Sequence, residues 1–319
     1  MSEIEIIHPG PFSHIQDSGR RGYEHLGLSR SGPADFHLFA IAHTLVGNSL
    51  EDAAIEMTYQ GLEFIADTPI IFSVAGVQDI RIGSHLYHNK ATFSAKLGEV
   101  VRLTKLRGQR AYLAIRGGLD TPLVLGSRAT DFTAAIGGWQ GRSLRKGDRI
   151  PIKNSLDASI SQDTPSSQNV EWPQDFWDDY SPFRVVVGPD DKEFSTQALH
   201  TFFAGDYAMT PASNIMGIRL KGVPVKGHGE SATKLSKGTV PGSIQVPPDG
   251  QPIILLNQRG TIGGYPVLAT LPSPELWRLA QWPASKKLSF MAITPAQART
   301  LGYNAFQSLM AWRRHVMAD

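Results

Sequence analysis

The sequence predicts an all-β protein with a few peripheral helices. Short segments that are β-branched or alternating, and bounded by Gly, Pro or Asn, recur along its 319 residues. Stretches with helical spacing and helix start signals are few. The two kinds do not alternate regularly, which argues against βαβ units and for barrels or sandwiches.

In chain order, the expected strands are Ile4–His8, Gly61–Ile65, Ile70–Val74, Asp79–Ile82, Val100–Leu103, Ala111–Ile115, Phe183–Val187 and Pro252–Leu256. A helix is expected from Pro33 to Val46, with Pro33 in its first turn, Phe36, Phe39, Ala40 and His43 on one face, and Gly47-Asn48 as the stop. A second helix runs from about Asp191 to Phe203 and ends at Gly205. A third starts at Ser273-Pro274-Glu275 and carries Leu276, Leu279 and Ala280 on one face, and Thr294-Pro295-Ala296-Gln297 has the capping-box pattern that opens a terminal helix. Lys153 to Pro182, rich in Ser, Asp, Gln and Pro, reads as a linker or long surface loop whose second half carries Trp172, Phe176, Trp177 and Tyr180.

Composition narrows the function. A chain of this length buries a substantial core and suggests two domains. A formal charge of +2, with no basic run interleaved with aromatics, argues against nucleic acid. The absence of cysteine excludes disulfides, thiolate metal sites and a cysteine nucleophile. The N-terminus is acidic and strand-like, unlike a signal peptide, and no apolar run approaches a membrane span, so a cytoplasmic location is expected. No P-loop, dinucleotide fingerprint, nucleophile elbow or zinc-protease helix is present. The histidines suggest no metal site: His85 and His88 flank a turn-like stretch that reads as a solvated loop.

The most informative stretch runs from Pro241 to Pro266. Val246 to Leu256 reads as a hairpin turning at Pro247-Pro248-Asp249-Gly250. The strand then empties into Arg259-Gly260-Thr261-Ile262-Gly263-Gly264-Tyr265, where little side-chain cover lets a ligand reach the main chain and an anion be cradled. A glycine-rich hairpin end needing positive φ fits the same residues. Near the N-terminus, Gln16, Asp17 and Arg20 sit in a tight Gly-rich segment. There Asp17 is either a turn cap or a partner of Arg20, with Gln16 offering an amide to a polar ligand. Asp35 caps or salt-bridges near a helix start, and Arg219 presents a planar cation suited to carboxylate or phosphate, or to a structural ion pair.

These segments, Gln16-Asp17-Ser18-Gly19-Arg20, Ser31-Gly32-Pro33-Ala34-Asp35, Leu125 to Thr130, Gly137-Gly138, Ser213-Asn214-Ile215-Met216-Gly217-Ile218-Arg219-Leu220, Gly242 to Pro247 and the Gly263-Gly264-Tyr265-Pro266 loop, resemble the biotin-dependent carboxyltransferase family. That family, also called allophanate hydrolase subunit 2, includes a bacterial 5-oxoprolinase subunit. The resemblance runs from about Ile7 to about Phe290. Three positions depart from the family motifs: Ile215 stands for an Arg, Gln258 for an Asp and Gly260 for a Gln. A cation, a carboxylate and an amide are thereby absent from one expected pocket.

The resemblance implies two cyclophilin-like β-barrel domains, residues 1–165 and 180–319, joined by a linker at 166–179, with strand exchange between them allowed. It implies part of an ATP-dependent 5-oxoprolinase that opens 5-oxoproline to glutamate with subunit-A-like and subunit-B-like partners, ATP being a co-substrate of the complex and the isolated chain inactive. Arg219, Gln245 and Thr261 are the catalytic candidates; Gln16, Asp17, Arg20, Asp35, Asn214, Gly263, Gly264 and Tyr265 are the substrate-binding candidates, with no metal. Two other roles are open. One is a carboxyltransferase acting on urea or a similar amide, whose biotin would come from another protein because the chain has no biotinyl-lysine motif. The other is a non-catalytic regulatory partner of a subunit-B-like protein.

Overall fold

A computed structural model describes residues 2–88, 92–153, 181–227 and 235–318. All but the ends of the expected linker, including its aromatic cluster, lies outside the described residues. The described chain groups into two compact units. The first holds the chain up to Arg21, the stretch from Ser31 to Lys153, and the end from Leu309; the second holds Gly22–Arg30 and the stretch from Ser181 to Ser308.

The first unit contains β1 (Glu3–His8), β2 (Phe12–Gln16), α1 (Phe36–Leu45), β3 (Ala54–Thr58), β4 (Glu63–Ala66), β5 (Ile70–Ala75), β6 (Val77–Ile82), β7 (His85–His88), β8 (Thr92–Ala95), β9 (Val100–Leu106), β10 (Arg110–Ile115) and β11 (Arg149–Pro151). The order β11-β1-β4-β9-β6-β7 forms one sheet and β2-β3-β10-β5-β8 the other. Period-two alternation drives the burial: Ile4 and Ile6 of β1 point into the core while Glu3 and Glu5 do not. Ile6, Phe64 and Val101 from one sheet join Ile15, Ile55, Phe72 and Leu113 from the other in one apolar cluster.

The second unit contains β12 (Phe183–Val187), α2 (Thr196–Ala204), β13 (Ala208–Met209), β14 (Gly217–Lys221), β15 (Lys237–Gly238), β16 (Ser243–Gln245), β17 (Ile253–Leu255), β18 (Ile262–Gly263), β19 (Val267–Thr270), α3 (Ser273–Ala280), β20 (Phe290–Ile293) and α4 (Pro295–Ala318), whose last turns group with the first unit. Its main sheet runs β13-β14-β17-β16-β19-β12-β20, antiparallel except where β12 meets β20, and β15 pairs with β18 apart from it. Phe183, Phe202, Tyr207 and Phe290 centre its core, with the Phe202 and Phe290 rings stacked at 4.7 Å. The architecture is therefore mainly β with peripheral helices, as expected from the sequence. No described helix is long and apolar enough to cross a membrane.

Three local expectations are corrected. Pro33 precedes the first helix instead of opening it. Asp35 is the N-cap, its carboxylate accepting from Leu38 N at 3.1 Å, so α1 starts at Phe36. The second helix is broken: a 3-10 turn at Asp191–Glu193 precedes α2, because Ser195 caps a fresh start by accepting from Ala198 N. His85 and His88 lie on a strand, not a loop, and His88 Nδ1 is 2.8 Å from Asp79 Oδ1 across the β6–β7 ladder. The capping box does form, with Thr294 N donating to Gln297 Oε1 at 2.8 Å and Gln297 N to Thr294 Oγ1 at 3.2 Å.

Candidate functional site

In the first unit the motif residues knit one loop to the end of β2. Asp17 accepts from Gly19 N at 2.9 Å, from Ser127 Oγ at 2.6 Å and from Arg128 N. Arg20 donates to the carbonyls of Val124 at 3.0 Å and Ala129 at 3.1 Å. Gln16 spends its amide on the main chain, donating to Thr130 O at 3.1 Å and accepting from Gly32 N at 2.9 Å. The glycines follow from this packing. A Cβ on Gly137 would stand 2.1 Å from Ala129 O and 2.9 Å from an Arg20 nitrogen, and one on Gly138 would stand 1.9 Å from Thr130 Oγ1. Gln16, Asp17, Arg20 and Asp35 are all buried, and these bonds run within the protein.

A second buried polar group in this unit was missed by sequence reasoning. Across adjacent strands, His14 of β2 and Tyr112 of β10 both lie opposite Glu56 of β3. Glu56 takes a proton donor from Arg110 at 2.9 Å, Tyr112 Oη at 2.8 Å and Ala34 N at 2.9 Å, with His14 Nε2 3.8 Å away. Burial opposes the Glu56 charge, but Arg110, His14 and these hydrogen bonds outweigh it and hold the carboxyl below its usual range. Burial lowers His14 to about 4, so it is neutral near pH 7. The signal was a lone carboxylate at the centre of Ala54-Ile55-Glu56-Met57-Thr58, a strand otherwise reading as wholly buried.

In the second unit the C-terminal loop is built onto the sheet. The hairpin forms around the expected turn, with Gly250 N bonding Pro247 O at 2.9 Å, although its first strand starts earlier, at Ser243. Gln245 and Arg219 both sit opposite Ile253, the one in β16 and the other in β14. Gln245 is buried, and its Nε2 contacts Tyr265 O at 3.4 Å; Arg219 is exposed. Asn214 is spent as a turn cap, its Oδ1 accepting from Met216 N at 2.9 Å and Gly217 N at 3.3 Å.

Gly263 needs its missing side chain for space, not for positive φ: a Cβ there would lie 2.5 Å from Gln245 Nε2. Part of the main chain expected to be bare is engaged, because Ile262 and Gly263 form a ladder with Gly238 and Lys237. Thr239, next in the chain after Gly238, also ties the loop. It donates from N to Thr261 O at 3.0 Å and from Oγ1 to Gly260 O at 2.6 Å, and its carbonyl accepts from Arg259 Nη2 at 2.9 Å. Gln245, Thr261, Gly263, Gly264 and Tyr265 thus converge on one end of the second unit. Of these Tyr265 is exposed, as is neighbouring Ile262.

Buried Gln245 and Thr261 stand at a glycine loop, Gln245 on the sheet that also carries the exposed guanidinium of Arg219. Residues 26–292 match the family model described as carboxyltransferase domain, subdomain A and B. The chain belongs to that family. It is 34% identical to the C subunit of 5-oxoprolinase from Escherichia coli (strain K12) over 98% of this chain and 99% of the relative. Similarity to urea amidolyase of Lachancea kluyveri is 30% identity over 93% of this chain but only 17% of that longer protein. Among solved structures, the K. lactis urea amidolyase superposes with a TM-score of 0.87 at 27% identity, covering 97% of this chain and 20% of that one.

Proposed function

We propose that the chain is the C subunit of an ATP-dependent 5-oxoprolinase, acting with subunit-A-like and subunit-B-like chains to open 5-oxoproline to glutamate. The observation that carries this reading is the match to the C subunit of a 5-oxoprolinase along nearly the whole of both chains.

The chemistry is demanding because a lactam is resonance-stabilised. Phosphoryl transfer from ATP to the lactam oxygen releases ADP and makes the carbon electrophilic. One water then adds to that carbon as the ring C–N bond breaks and the nitrogen takes a proton; another releases phosphate. Negative charge gathers on the oxygens throughout, so fixed donors lower the barrier. In this reading Arg219, Gln245 and Thr261 supply them, while Asn214, Gly263, Gly264 and Tyr265 shape the pocket. Gln16, Asp17, Arg20 and Asp35 act by holding their loop and helix in position, since the bonds described for them are internal.

Reconstitution tests it: the chain with both partner chains, ATP and 5-oxoproline should release glutamate, and the chain alone should not. Turnover by the chain alone, unchanged by partners, would sink the proposal. A second reading is a carboxyltransferase that uses carboxybiotin from another protein on urea or a similar amide, favoured by the superposition on urea amidolyase. ATP-dependent carboxylation of urea by a biotinylated partner, with no glutamate from 5-oxoproline, would select it. The departures at Ile215, Gln258 and Gly260 favour the regulatory role if neither reaction occurs.

A further inference from the structure

Arg259 and Arg278 are both buried guanidinium groups of the second unit, 5% and 4% exposed, and they are treated very differently. Arg278 is saturated. It bonds Glu275 Oε2 through Nε at 3.1 Å and Nη2 at 2.6 Å, reaches Ser181 O at 2.8 Å and Pro182 O at 3.2 Å, and lies 4.0 Å over the Phe183 ring. Arg259 has one described acceptor, Thr239 O, on Nη2. Its Nε and Nη1 are buried and meet no acceptor among the described residues. A guanidinium carries one proton on Nε and two on Nη1, and it stays charged in proteins. A buried charge with so many unmet donors is costly unless something supplies the acceptors.

The described surroundings leave those donors without an acceptor of their own. Thr239 accepts from Nη2 while also tying Gly260 and Thr261, so the guanidinium is anchored beside the glycine loop. Burial pulls its pKa down and the charge of Glu24 opposes that, yet no ion pair with a carboxylate neutralises Arg259 among the described residues. The sequence places Arg259 between two of the three departures, Gln258 and Gly260.

We propose that Arg259 is an oxyanion-binding residue of the second unit, which takes a carboxylate or phosphate-type group of a small ligand on its unmet N–H donors. The planar fork suits either group. This deepens the proposed function by naming the group that holds the ligand's anion at the Thr239–Gly263 end of the site, where Arg219, exposed on its sheet, does not lie buried.

The test uses the full chain with three probes, inorganic phosphate, glutarate and 5-oxoproline, so that phosphate and carboxylate sources separate. Calorimetry should detect at least one probe at concentrations up to about 10 mM, and Arg259→Gln should weaken it by about tenfold or more. Arg259→Lys, which keeps the charge but loses the fork, should recover only part of the affinity. Lys221→Gln, removing an exposed cation of β14, should leave it unchanged. In chain labelled with 15N at arginine Nε, the Arg259 resonance should move with the same midpoint as the heat, a readout that stands even if Arg259→Gln does not fold. No probe binding, or binding that neither moves that resonance nor weakens in Arg259→Gln, would overturn the inference and leave water as the acceptor. Binding through Arg259 without glutamate release by the reconstituted complex would instead sink the lactam reading alone.

Discussion

Arg219 and Gln245 lie on the same face of one sheet, two strands apart, each opposite Ile253. Their neighbours Leu220, Ile244 and Ile254 point the other way, into the core. Strand spacing separates the two Cα atoms by roughly 10 Å. In the proposed reading, a small ligand over Ile253 would be met by the guanidinium on one side and by the amide with the glycine loop on the other. Arg219→Ala should leave stability within about 0.5 kcal/mol, because the side chain is exposed. In the reconstituted complex it should cost about 1.5–3 kcal/mol of binding to an anionic substrate, if one charge-assisted hydrogen bond is lost. Denaturant titration and the change in KM check the two halves; an unchanged KM would remove Arg219 from the site.

Gly263 and Gln245 should be energetically coupled. A methyl at Gly263 collides with Gln245 Nε2, a side-chain end that can move only by giving up its contact with Tyr265 O. Gly263→Ala should therefore destabilise by about 1–3 kcal/mol, and the cost should shrink in a Gln245→Ala background, where the obstacle is gone. Purely additive losses in that double-mutant cycle would contradict the geometry.

The strands and the terminal capping box were legible because period-two burial and local turn chemistry are written in adjacent residues: Ile4 and Ile6, or Thr294 and Gln297. The cap at Asp35 is among the readings the sequence allows, but the helix starts at Phe36 and not at Pro33, since proline tolerance at a first turn is a weaker constraint than a carboxylate that accepts from Leu38 N. Of the buried cluster around Glu56, the sequence shows only a lone carboxylate in an apolar strand, and its partners were not legible. The cluster depends on the register of β2, β3 and β10, which brings His14, Glu56 and Tyr112 together from positions far apart in sequence. Arg259 reads in the sequence only as part of a glycine loop, because nothing local distinguishes a saturated guanidinium such as Arg278 from one left open.

Two buried histidines, His14 and His43, and the half-buried His37 set an acid limit on stability. Burial lowers His14 and His37 to about 4 and His43 to about 3, against an ordinary value of 6.5. Between those values the unfolded chain binds protons that the folded chain does not, so stability rises with pH through this window and is lost as pH falls from 6.5 toward 4. Each such group contributes up to about 1.4 kcal/mol per pH unit. Glu56 acts in the same sense lower down: its folded pKa is depressed, so its contribution is present above its unfolded value of 4.5 and is lost as pH falls through the folded one. Urea denaturation at stepped pH should show this slope, and His43→Gln should reduce it by about one proton's worth. A stability profile flat between pH 6.5 and 4.5 would refute the neutral-histidine picture.

Restoring the family's polar groups tests whether the chain is a weakened enzyme. Ile215 follows the Asn214 turn that leads into β14 and Arg219, and Gln258 is a buried residue adjoining Arg259. Ile215→Arg adds a second cation at the end of the strand that carries Arg219. Gln258→Asp adds a carboxylate next to a guanidinium whose Nε and Nη1 lack acceptors among the described residues, and it removes an amide one methylene longer. Positioned charges contribute to proton transfer and to transition-state stabilisation together, so each single change should gain less than the pair. The double variant should raise kcat of the reconstituted complex on 5-oxoproline, while Gln258→Asp alone should weaken phosphate or glutarate binding to the isolated chain by giving Arg259 an internal competitor. If the complex gains nothing although the double variant keeps its cooperative unfolding, the departures are not the limit on turnover, and the regulatory role becomes the better account of a chain that kept the fold and changed the groups inside it.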